Sequence, residues 1–272
     1  MHRFSPKLYL EVFRNRDFFV LSLVTFIGQL ASAFLILSLI VSVFNQTGNN
    51  FGVSGVVLSF TIPGFFLILV AGLFADIFDR RKIIIIANTA IALVVLFILI
   101  AQQTVVASIP LSFLYFVGNT FFLPTASAAS GQLVKNELLA VANTVFISVL
   151  ASGLILGFFV AAVAHFFLGT FYTLIICETL LCTAVVISFF LPTMYPRKKH
   201  ATKLVQTAYE IWKTIKYLFA EKTVRFFFVV FAASQGIIAF GVTLAPGFFN
   251  DVVGLSINKS PIFIFPLIGL GV

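Results

Sequence analysis

Charge is the scarcest thing in this sequence. Between Phe18 and Ala75 there is no Asp, Glu, Lys or Arg, and between Ile83 and Val134 there is again none. Of the 272 residues, 10% are charged and 61% hydrophobic, with a mean hydropathy of +1.14. Soluble domains carry roughly a quarter charged residues, so that class is excluded. Uncharged apolar runs of about 18 residues or more cross a bilayer as helices. A transmembrane β-barrel needs alternating polarity, and runs such as Ile83–Ile86 and Ala92–Ile100 do not alternate. The two cysteines, Cys177 and Cys182, stand five apart in one expected helix, a geometry that cannot close a disulfide, and read as small core residues. There is no G-x-x-x-x-G-K-[ST], no Cys/His cluster and no G-x-S-x-G. No ATP site, metal, cofactor or enzyme chemistry is therefore expected.

What charge there is sits in islands. Asp76, Asp79, Arg80, Arg81 and Lys82 interrupt two greasy runs, Lys135 and Glu137 mark a second turn, and residues 192–225 hold the one long hydrophilic stretch. Reading the runs in order predicts helices over about 18–44, 51–75, 83–101, 105–130, 139–164, 171–191 and 226–249, with an eighth beginning near Ser260 and cut by the end of the chain at Val272. Pro63-Gly64 predicts a kink and Pro124 an interruption. Ser5-Pro6 opens a short basic amphipathic segment, and Leu204, Ala208, Ile211, Ile215 and Leu218 recur at helical spacing in a surface helix. The expected organisation is a six-helix bundle over 1–191, a basic linker over 192–225, and the start of a second, incomplete bundle over 226–272.

Sidedness follows from the cations. With the N-terminus in the cytoplasm, every Lys and Arg except Lys259 falls on the inner side. Each one forced through the bilayer centre costs about 2.5–3.5 kcal/mol on insertion scales, so an inner (plasma) membrane with a cytoplasmic N-terminus is predicted. The net charge of +8 is then explained by topology and lipid, without nucleic acid as a partner.

The segment G-L-F-A-D-I-F-D-R-R-K (72–82) resembles the loop between helices 2 and 3 of major facilitator superfamily transporters. Its D-x-F-D-R-R form is similar to the branch of macrolide-efflux and siderophore-exporter proteins. The stretches 13–18, 124–143 and 208–218 resemble that branch too. The resemblance implies an all-α polytopic membrane protein that moves small amphipathic or apolar molecules across the bilayer, most simply outward, as a monomer when full length. It implies that Gly72, Asp76, Arg80 and Arg81 form a conformational latch between two halves. Ile77 departs from the pattern, where the family carries a cation. The Arg of drug–proton antiporters is missing from 114–122, and Phe158 and Ala161-Ala162 replace parts of their helix-5 motif, so their pattern of proton coupling does not carry over.

Three further residues stand out. Glu178 is the one acid well inside a predicted span. Carboxylates there are costly and mark proton paths or cavities, which makes it a candidate for coupling to a proton or for substrate contact. Gln29 and Gln235 lie on helices that line the cavity in the resembled family, and are candidates for substrate contact. His165 is expected at the outer interface, and Gly153, Gly157 and Ala161 form a helix-packing stripe. Two other functions remain open at this point: a lysophospholipid flippase, and a non-transporting receptor or scaffold of the same fold.

Overall fold

A computed structural model of the chain describes residues 6–101, 104–195, 213, 216 and 220–255. These form helices and no strand. The predicted surface helix over 204–218 and the eighth helix lie outside the described residues.

α1 (Pro6–Arg14) is short and two-faced. Val12 is buried against the bundle while Leu10 and Phe13 face outward, the pattern of a helix lying in an interface. Asn15 ends it and starts α2 (Arg16–Thr47) by accepting from the backbone N–H groups of Asp17 and Phe18, which satisfies two orphan donors of the new helix. α3 (Asn50–Ile77) follows after Gly48, whose φ of 66° gives the left-handed residue that closes α2. α4 (Arg80–Ile100) and α5 (Val105–Gln132) complete the next hairpin.

α2 to α5 run longer than charge alone predicted, because polar caps and first turns extend them beyond the apolar run. α5 passes through Pro110 and Pro124 without ending. The break expected near 165–170 is narrower still. One continuous helical stretch, α6 (Leu139–Ser188), carries both predicted helices and departs from helical geometry only at Gly169, φ 77°, ψ 176°. A single glycine reverses the chain because only glycine adopts such angles without steric cost. α7 (Lys222–Gly247) ends at Pro246-Gly247 in a short π-turn, Phe248–Val252.

α2 is the axis of the bundle. Both arms of α6 pack on it, α3 and α4 flank α5, and α7 lies along α3. The α2–α6 contact is close because glycines make it so. A Cβ on Gly157 would stand 2.8 Å from Ala33 Cβ and 3.0 Å from Leu30 Cα, and one on Gly153 would stand 2.9 Å from the Phe26 carbonyl. His165 continues this 153–157–161 stripe by one more turn. It is buried, at 4% exposure, and α6 runs on past it, beyond the helix end expected there, to Gly169.

Lipid offers helices no hydrophobic driving force, so polar contacts add to packing. Ser32 meets Tyr115 Oη at 2.8 Å, Ser112 donates to Ser59 at 2.7 Å and Asn88 donates to Ser188 at 2.9 Å. Each links a different helix pair, at about 0.6 kcal/mol apiece. Cys177 is buried with its thiol 3.3 Å from the Ala31 carbonyl, whereas Cys182 is exposed; both are free.

Candidate functional site

The polar island becomes a fastening at one end of the bundle, called here the basic end. Asp79 is buried. Its Oδ1 accepts from the Arg81 N–H at 3.1 Å, capping α4, and from the Met194 N–H at 3.0 Å. The Arg80 N–H donates to the Met194 carbonyl at 3.1 Å. The strand-like exit of the chain after α6 is thus stitched to the turn between α3 and α4. Arg81 Nη2 adds a 2.7 Å bond to the Phe189 carbonyl, and Gln132 donates to the Tyr195 carbonyl at 2.7 Å.

Arg80 works inside this half. Nε donates to the Ala75 carbonyl at 3.0 Å, and Nη1 to the Ala128 carbonyl at 3.0 Å and to Gln132 Oε1 at 2.8 Å. It therefore gathers the carbonyl-rich ends of α3 and α5, where a helix dipole favours a cation. Its side chain is 12% exposed, against 72% for Asp76, whose Oδ1 lies 3.7 Å from Arg80 Nη2. Asp76 and Gly72 stand four apart on one face of α3, and a Cβ placed on Gly72 would meet nothing within 4 Å. Of the four predicted latch residues, then, Arg80 and Arg81 are engaged within the bundle, while Asp76 and Gly72 present an open face. Ile77, also exposed, adds no charge to it.

Asp79 is the residue that sequence reasoning passed over. The signal was present: an Asp immediately before the first residue of an apolar helix is a capping position.

The three mid-membrane candidates do not form one wall. Gln29 is buried beneath Gly153 of α6. Glu178 sits one residue from Cys177, which touches Ala31, so it shares Gln29's approximate depth on a different side of α6. It is half-buried; Oε1 faces the Cys182 thiol at 3.4 Å, and Oε2 is enclosed without a hydrogen-bond partner among the described residues. Gln235 is exposed on α7. A cavity of about 360 Å³ opens at the basic end between α5 and α6, lined by Ser127, Ser130, Gly131, Leu139, Ala140 and Asn143.

A second feature is the uneven enclosure of α2. From Ala31 to Phe44 every residue except Ile36 is buried. In the half nearer the basic end, burial is confined to Phe18, Leu21, Ser22, Val24, Thr25 and Gln29, and a Cβ on Gly28 would meet open space. Among the described residues no group of His, Cys, Asp and Glu could hold a metal ion.

This arrangement of apolar spans around one central helix defines a polytopic helical membrane protein. The chain belongs to the Major Facilitator Superfamily, whose family model matches residues 18–272. Solved structures share the fold. The nucleoside transporter NupG superposes with a TM-score of 0.69 at 17% identity, over 91% of this chain and 63% of its own. A bacterial homologue of the human lysosomal transporter Spinster, inward-facing and unoccupied, gives 0.68 at 14% identity, over 98% and 60%. The POT family transporter PepTSo gives 0.61 at 16%, over 93% and 52%. The chain thus spans 52% to 63% of the length of these three proteins. No curated protein sequence matches it.

Proposed function

We propose that the protein is a secondary active transporter that exports amphipathic or apolar small molecules by alternating access. The observation that carries this reading is the lopsided enclosure of α2, shut around Ala31–Phe44 and open toward the basic end. With the basic residues in the cytoplasm, that is a path open to the inside and closed to the outside. Asp76 and Gly72 are the reaching part of the latch, free to grip a second half when the inner side closes. Arg80 and Arg81 hold the loop that presents them. Gln235, exposed on α7, is the polar contact offered to substrate, Gln29 is packed under α6 and serves the helix contact, and Glu178 is the group available for a proton.

The substrate class follows from what the spans offer. Among the described residues, the Lys and Arg of the long helices stand at their ends. A sugar phosphate or dicarboxylate would need a fixed cation in the path; an apolar or amphipathic molecule does not. The test uses the full-length protein in proteoliposomes with a panel of lipophilic fluorescent dyes and a labelled lysophospholipid under an imposed proton gradient. Gradient-driven movement of the dyes is expected. Movement of the lysolipid alone would replace this reading with a flippase, and no movement of either would leave a scaffold.

A further inference from the structure

The end of the bundle opposite the basic loop holds a contact that the transport reading does not use. Asn50, the first residue of α3, accepts a hydrogen bond through Oδ1 from the backbone N–H of Gly247, the last residue of α7, at 3.0 Å. The two sides are built differently. On the α3 side the turn is knotted to itself: Thr47 Oγ1 donates to the Val43 carbonyl at 2.8 Å, and Asn49 caps α3 by accepting from Gly52 N–H at 3.1 Å while donating to the Thr47 carbonyl at 2.9 Å. Asn50 therefore stands on a fixed platform. On the α7 side the α-helix gives way to a wider turn: Pro246 precedes Gly247, and the π-turn follows. A proline clashes with the carbonyl four residues earlier and loosens a helix locally, which leaves the Gly247 N–H free to point at another element.

Glycine is required for this approach. A Cβ on residue 247 would lie 2.5 Å from Asn50 Nδ2, 2.7 Å from Oδ1 and 2.9 Å from Cγ. The atoms in the way belong to the tip of one side chain, so an added methyl would push Asn50 aside without disturbing either backbone. The packing of α7 is weighted to the same end. Ala239, Val242, Ala245 and Phe249 lie against the core, whereas at the other end Phe226 and Phe227 are exposed and the Phe65–Phe228 ring contact at 6.0 Å is what touches α3.

We infer that the Asn50–Gly247 hydrogen bond is the fastening that keeps the outer side of the path shut, and that outward opening begins by breaking it. The inference rests on the alternating-access reading, to which it adds the residues that hold one of the two states. It also explains the combination of a stiff acceptor platform and a loosened donor helix. The α7 partner can leave while the other keeps its shape, and the same amide is in place when α7 returns.

The experiment reads separation of α7 directly and needs no substrate. In the full-length protein with Cys177 and Cys182 replaced by Ser, Val242→Cys places a thiol in the contact. Its labelling rate by a membrane-impermeant maleimide is measured in sealed vesicles whose outer face is exposed. Phe51→Cys, at an 87% exposed position on that end, reports that the reagent has access. Asn50→Ala and Gly247→Ala should each raise the Val242→Cys rate by about 2- to 10-fold, the range set by one net hydrogen bond. The double variant should be no faster than either single one, since both remove the same interaction. An unchanged rate in Asn50→Ala, or a double variant whose effects multiply, overturns the fastening. Dye flux is measured in parallel. Faster labelling without any flux would keep the fastening and remove the transport reading; flux with unaltered labelling would do the reverse.

Discussion

Replacing Asp79 by Ala should be the most damaging single change in the 72–82 segment, although Asp76 is the residue that reaches outward. The carboxylate has two backbone dependants. Loss of the cap to Arg81 N–H costs about 1 kcal/mol, within a range of about 0.5–2. Loss of the acceptor for Met194 N–H, in a buried site, strands a donor at about 1–3 kcal/mol. The sum is about 2–4 kcal/mol. Asp79→Asn keeps an acceptor oxygen at the Oδ1 position and should cost less than about 1 kcal/mol, because the Oδ2 position is already enclosed without a partner. The assay is equilibrium unfolding of the purified full-length protein in lipid nanodiscs, with amide hydrogen exchange of residues 79–83 and 191–195 read alongside. The Ala variant should lose protection at Met194 and Arg81 first. Equal destabilisation by Asn and Ala would show that the negative charge, and not the acceptor, is what matters. An Ala variant as stable as the parent would show that the stitching between the loop and the chain leaving α6 carries no weight.

Asp76→Ala should leave unfolding unchanged within about 0.5 kcal/mol, as expected for an exposed surface position, yet lower gradient-driven dye flux in proteoliposomes; loss of stability without loss of flux would contradict its outward role. Gly157→Ala forces a methyl against Ala33 and the Leu30 backbone and should cost about 1–3 kcal/mol, seen as a lower thermal midpoint. Gly72→Ala, with open space at its Cβ, should be neutral in the same melt. Glu178→Gln preserves shape and removes the ionisable group; substrate-dependent proton flux should fall, and unchanged flux would take Glu178 out of the coupling role.

The bundle was legible in the sequence because the bilayer enforces a simple rule. Charge marks where the chain leaves hydrocarbon, and long runs such as Phe18–Ala75 could only be spans joined by an uncharged turn at Asn45–Asn50. The length of α6 was less legible. Gly169 reverses the chain in one residue, and no polar loop announces it. For the same reason the helix end expected at His165 falls one turn short of the actual reversal at Gly169. Within the candidate site, the motif identified the residues of the loop but not their division of labour. Arg80 and Asp76 are four apart and opposite in charge, so sequence suggests a pair acting together. The pair does form, at 3.7 Å, but only the positions of Ala128 and Gln132, some fifty residues away in the chain, show that Arg80 is also held inside the bundle while Asp76 stays exposed.

The hairpin at Gly169 also sets a length mismatch. The two arms leave the same point, one running back to Leu139 over 30 residues and the other forward to Ser188 over 19. At about 1.5 Å per residue the first is about 45 Å long and the second about 29 Å. The shorter arm matches a hydrocarbon layer of about 30 Å, so the longer one overshoots it by about 15 Å, and a typical tilt of about 20° removes little of that. With Gly169 at one edge of that layer, the ten residues farthest from it, 139–148, which include Ala140, Asn143, Thr144 and Ser148, would extend beyond the other edge. The cavity they help line would then open at the level of water and phosphate, and a hydrophobic molecule lodged there would already have left the greasy part of the membrane.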